Sequence, residues 1–125
     1  MRVAPNGAVD LIIGKQSAVL FDAKEKHLAV RPLAMLTGQD GTITLTGLFV
    51  VRARDPAKRL GDLKGYTVLF GPAESFEKHG AAIAALHAAG VETSEKPQVR
   101  GGCSDAAVEM VEDKQNRKLA AVILP

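Results

Sequence analysis

A chain of 125 residues, 46% hydrophobic and 24% charged, is long enough for one modest globular domain with its own core. Its 16 basic and 14 acidic residues are interspersed without long like-charge blocks, so the charge pattern does not ask for nucleic acid or an anionic membrane as partner. No apolar run is long enough to span a bilayer, and the single cysteine, Cys103, excludes an internal disulfide and a multi-cysteine metal site.

The opening residues, Met1-Arg-Val-Ala-Pro-Asn-Gly7, lack a charged region followed by an apolar one, so no secretory signal is visible in this chain. An Asn6-Gly7 turn introduces a buried strand over 9–13, which Gly14 ends. A short helix is expected over 17–25, with Ser17 as its cap and Val19, Leu20 and Ala23 on one face. The Ala-Val-Leu-Phe stretch inside it also suits a strand. The apolar segment 27–36, interrupted by Arg31-Pro32, reads as a strand. Gln39-Asp40-Gly41 is a turn signal, and 42–53 is rich in Thr, Ile, Leu, Phe and Val. Together 27–53 reads as an antiparallel pair about a turn at 37–41.

Residues 54–65 are polar and turn-rich, the best boundary in the chain. Leu60 and Leu63 are placed to tuck a single helical turn onto a core. The pattern then becomes regular: a strand at 67–70, a helix at 75–89, a short strand near Gln98-Val99, a helix at 104–117 and a strand at 119–124. In the first of these helices His79, Ile83, Leu86 and Phe76 share a stripe, and Gly90 is well placed just past its end. This βαβαβ order implies a parallel sheet with right-handed crossovers. Both strand-to-helix turns, 71–76 and 101–105, then lie at the carboxyl edge, where open α/β sheets bind ligands. The chain ends on an apolar strand pattern and is expected to be a segment of a longer protein.

Six short motifs run in order along the chain: Asn6-Gly-Ala-Val-Asp10, Leu48-Phe-Val-Val-Arg52, Asp62-Leu-Lys-Gly65, Phe70-Gly-Pro-Ala-Glu-Ser75, Ala88-Ala-Gly90 and Gly102-Cys-Ser-Asp-Ala-Ala107. In this order they resemble the phosphate/phosphonate-type (PhnD-like) solute-binding proteins of ABC transporters, which have the type 2 periplasmic-binding-protein fold. The resemblance implies an α/β chain with the βαβαβ parallel sheet of one lobe, preceded by strands of the other lobe and the hinge. It implies the end of lobe one at 1–47, a hinge or crossover at 48–65, and most of lobe two at 66–125. It also implies capture of a small polar solute of the oxyanion type without catalysis, a membrane permease as partner, no cofactor, and a periplasmic, exported or lipid-anchored location.

The residues expected at the ligand are Ser75, Phe76, Glu77, Cys103, Ser104 and Asp105. The backbone N–H groups of 75–77 and the Ser75 hydroxyl would hold a polar solute, with Phe76 stacked on it. Ser75 and Phe76 equally suit a plain role, capping a helix and sealing the core. The family's Ser-Thr-Ser run is replaced here by Ser75-Phe76-Glu77, and its Gly-Ser-His-Asp turn by Gly102-Cys103-Ser104-Asp105. Lobe one's ligand-contacting Tyr has no match near 17–20. Glu77 would repel an oxyanion and favour a cationic or hydroxylated solute. Other readings of the same residues are a sensory domain on the same fold, and an enzyme using Cys103 with His79 or His87. His27, His79 and His87 lack metal-ligand spacing, and Gly101-Gly102 lacks a nucleotide-loop pattern.

Overall fold

The computed structural model describes residues 11–102 and 104–125. Contacts divide the chain into two compact units, Met1–Thr44 and Leu45–Pro125.

In the first unit, helix α1 spans Gln16–Glu25 and buries Ala23. Lys15, rather than Ser17, stands at its N-cap, and the Ser17 hydroxyl is buried without a hydrogen-bond partner among the described residues. The helix ends in a Schellman arrangement: His27 N–H donates to Lys24 O at 3.2 Å and Leu28 N–H to Ala23 O at 2.8 Å. His27 takes the left-handed φ of 53° at the position glycine usually fills. The expected turn is present. Gly38 and Thr42 are joined by a 2.8 Å backbone bond, Gly41 has φ 81°, and the Asp40 carboxylate accepts from Thr42 N–H and Oγ1.

The strand expected before that turn does not form, and of the one expected after it only Leu48–Val50 does. No residue of 27–36 is in a strand, nor is any of 11–13, while 9 and 10 lie outside the described residues. Leu33 is 71% exposed and Leu36 89%, so these side chains have no apolar surface to pack on, which is what a half-buried strand requires. Pro32 also removes a ladder donor.

The second unit carries the fold. Strands β1 (Leu48–Val50), β2 (Thr67–Phe70), β3 (Gln98–Val99) and β4 (Leu119–Ile123) form one sheet in the order β1-β4-β2-β3. β2 runs parallel to both β3 and β4, as the βαβαβ pattern requires. β1 joins β4 antiparallel, which makes the sheet mixed. Of the expected 42–53 strand only three residues find this partner.

Side-chain alternation gives the sheet two apolar faces. Phe70, Ala120 and Val122 meet Ala82 and Leu86 of helix α2 (Gly80–Ala88) on one face. Leu69, Leu119 and Ala121 meet Ala106 and Met110 of helix α3 (Asp105–Glu112) on the other. Four consecutive residues, Leu119 to Val122, are buried because both faces are covered.

The Asp62-Leu-Lys-Gly65 step has a local reason. The Asp62 carboxylate accepts from the N–H groups of Lys58 and Arg59, opening a 3-10 turn at Leu60–Leu63. Leu63 is 3% exposed in the core, and Gly65 adopts φ 79° to turn the chain into β2. Gly90 likewise adopts φ 73° just past α2, with Val91 N–H donating to Leu86 O at 2.9 Å.

The helix expected over 75–89 is broken. A 3-10 turn at Phe76–Lys78 is separated from α2 by His79, whose φ of −125° and ψ of −86° are not helical. His79 Nδ1 is bonded to Gly71 O at 2.8 Å, which holds it out of the helix. The helix expected over 104–117 stops at Glu112, because Asp113 is extended and Arg52 takes its last carbonyls.

Candidate functional site

The carboxyl ends of β2 and β3 set two turns side by side. Leu69 pairs with Gln98 and Phe70 with Val99, and Arg100 N–H donates to Phe70 O at 2.8 Å. The chain leaves β2 at Gly71-Pro72 and β3 at Gly101-Gly102, so both turns emerge from the same edge of neighbouring parallel strands.

The first turn is tied across its base. Gly71 N–H donates to Lys78 O at 3.1 Å, and the His79 ring reaches Gly71 O. Ser75 stands at the start of the 3-10 turn and makes no side-chain cap there. Its hydroxyl meets Glu77 Oε1 at 3.2 Å, and the residue is 8% exposed. Ser75 is therefore not the N-cap of α2, a position taken by His79. Phe76 does not seal the core: it is 61% exposed, with its ring over Gly80, where an added Cβ would lie 2.9 Å from Phe76 Cε2. Glu77 is half-buried. The 3-10 turn also lies against the segment entering β1, since a Cβ on Gly47 would collide with the Glu77 carbonyl oxygen.

In the second turn Ser104 and Asp105 are exposed and begin α3. The Asp105 carboxylate accepts from Gly102 N–H at 2.8 Å and so holds the turn closed. Cys103 lies outside the described residues, and its expected role is therefore not placed.

One residue that the sequence reading passed over joins the two turns. Lys78 is only 3% exposed. Its stem crosses Gly71, where an added Cβ would sit 2.6 Å from Lys78 Cβ, and its Nζ reaches Gly102 O at 3.5 Å. A signal was present: Lys78 is the one Lys or Arg between Lys64 and Lys96.

Behind the turns, α3 is anchored by ion pairs. Arg100 grips Glu109 with two nitrogens, and this fork holds the Glu109 carboxyl below its ordinary range and the guanidinium above its own. Arg52 and Arg117 both reach Asp113, at 3.3 Å and 2.9 Å. A shallow groove of about 440 Å³ runs along the exposed side of α3, lined by Val108, Glu112 and Arg117 among others. It is open and lies on the helix flank, whereas the two turns leave the sheet edge. Among the described residues no three His, Cys, Asp or Glu side chains gather as metal ligands, and no helix is long and apolar enough to cross a membrane.

Strands β2, β3 and β4 thus form a parallel set with helices on both faces and two adjacent turns at its carboxyl edge, the edge at which open α/β sheets in general bind ligands. The family model described as "ABC transporter, phosphonate, periplasmic substrate-binding protein" matches residues 4–118, and the chain belongs to that family. The family is a substrate-binding transport component and is periplasmic. No curated protein and no solved structure matches the chain at a significant level.

Proposed function

We propose that this chain captures a small polar solute, of the oxyanion type, for an ABC uptake system, without catalysis. The observation that carries the reading is the side-by-side exit of the 71–76 and 100–105 turns from β2 and β3. Membership of the phosphonate-binding family supports the same solute class. The solute lies at that edge, among Ser75, Phe76, Glu77, Cys103, Ser104 and Asp105. Phe76 offers an exposed aromatic face, and Ser104 an exposed hydroxyl. Ser75 and Glu77, bonded to each other, shape the wall.

In this reading 1–47 ends the first lobe, 48–65 is the hinge or crossover and 66–125 is most of the second lobe. Closure of the lobes about the hinge retains the solute. The partner is the membrane permease of the transporter, and the protein works in the periplasm or anchored outside the membrane.

Calorimetric titration with methylphosphonate tests the reading. The unsubstituted protein is expected to bind, and a Phe76→Ala, Ser104→Ala double variant to bind about tenfold or more weakly with an unchanged melting temperature. Equal affinity in the two proteins would exclude these side chains from the site.

A further inference from the structure

We infer that Lys78 supplies the counter-charge for the anionic oxygen of the solute, and so sets the charge selectivity of the site. The inference rests on the solute-binding reading above and names a residue within it.

Lysine is rarely buried unless it is paired. Four arginines in the second unit, Arg52, Arg59, Arg100 and Arg117, are each within 4 Å of a carboxylate. Lys78 is more buried than any of these arginines, at 3% exposure, and among the described residues no carboxylate lies within 4 Å of its ammonium. Among the described residues the ammonium makes one hydrogen bond, to Gly102 O at 3.5 Å, at the limit of useful length. An ammonium has three donors, and a desolvated cation with one long bond carries a large unmet demand for acceptors.

The fold places that demand at the sheet edge. Glycine at 71 leaves room for the lysine stem to cross it, and the chain end arrives at the second turn. The ammonium therefore lies between the two turns that leave β2 and β3. A phosphonate, sulfonate or carboxylate oxygen there would supply the missing acceptor at full charge. Lys78 thus offsets the carboxylate of Glu77, whose oxygen is already engaged by Ser75. It also replaces by charge the hydroxyl array that Phe76 and Glu77 do not provide.

The test compares the unsubstituted protein with Lys78→Met, which keeps an apolar stem over Gly71. Thermal shift and calorimetry are run with methylphosphonate, phosphate, methanesulfonate and acetate, and with neutral and cationic solutes. Lys78→Met is expected to lose about 30-fold or more in affinity for the anion that binds best, with a ligand-free melting temperature no lower than that of the unsubstituted protein. Affinity within twofold overturns the role of Lys78 and leaves solute binding standing, as does binding of neutral or cationic solutes alone. Failure of every solute to bind the unsubstituted protein overturns both readings. A second measurement does not depend on the variant's folding. In the unsubstituted protein the Lys78 ¹⁵Nζ resonance is expected to titrate with the same curve as the Gly102 amide, and an unmoved ¹⁵Nζ signal while backbone amides titrate overturns the inference.

Discussion

The Arg52 guanidinium lies 3.3 Å from the carboxylate of Asp113, 61 residues further along the chain, and closes the carboxyl end of α3. Its Nη2 also donates to Met110 O at 2.6 Å and Asp113 O at 3.0 Å, and its Nη1 to Arg117 O at 3.3 Å. Orphan carbonyls at a helix end and the negative end of the helix dipole both favour a cation there. Arg52→Ala is expected to cost about 2 kcal/mol, read as a lower urea midpoint with an unchanged slope. Arg52→Lys is expected to recover only part, because a point charge cannot serve several carbonyls as a fork does.

Asp113 gives a pH signature. Burial pushes its carboxyl up, but hydrogen bonds from Arg117 and Arg52 outweigh it and hold the group at about 2, against 3.8 ordinarily. A carboxyl depressed on folding adds stability at pH above its unfolded value, and this is lost as pH falls through the folded value. Acid titration from pH 4 to pH 2 is thus expected to destabilise the protein, and Asp113→Asn to shallow that decline. Parallel stability curves for the two proteins over this window would contradict the assignment.

Two glycines make opposite predictions. A side chain at Gly47 would meet the Glu77 carbonyl oxygen, a backbone atom that cannot rotate away, whereas a Cβ at Gly101 meets nothing within 4 Å. Gly47→Ala is expected to cost about 1–3 kcal/mol by overpacking. Gly101→Ala is expected to stay within about 0.5 kcal/mol. Chemical denaturation of the two variants distinguishes them.

The two faces of the sheet predict matching losses in the core. Leu86 is fully buried against one face and Leu69 is 1% exposed on the other. Truncating either to Ala is expected to cost about 2–5 kcal/mol through lost burial and a residual cavity. Val111→Ala, at a position 70% exposed on α3, is expected to change stability by about 0.5 kcal/mol or less.

How far the sequence could be read divides along burial. β2 and β4 follow from runs in which Leu69, Phe70 and Leu119 to Val122 are buried between helices on both faces, so local pattern and tertiary packing agree. Gly90 was legible because glycine is the residue that most readily takes the left-handed backbone just past a helix end. The 27–36 segment has strand composition but exposes Leu33 and Leu36, and composition alone cannot supply a partner strand. The break at His79 depends on a ring nitrogen bonding Gly71 O eight residues back, a contact with no periodic signal. Ser75 has the chemistry of a cap, yet its hydroxyl turns to Glu77 instead. Lys78 was hidden for a similar reason: its burial depends on the bare Cα of Gly71, seven positions earlier.

The account rests on a solute site at the carboxyl edge of β2 and β3. A ¹H–¹⁵N correlation titration of the protein with methylphosphonate tests it most directly. The account predicts saturable, one-to-one shifts concentrated in the amides of residues 71–80 and 100–105. Shifts confined to the α3 groove around Val108, Glu112 and Arg117, or no shift at saturating ligand, would contradict it.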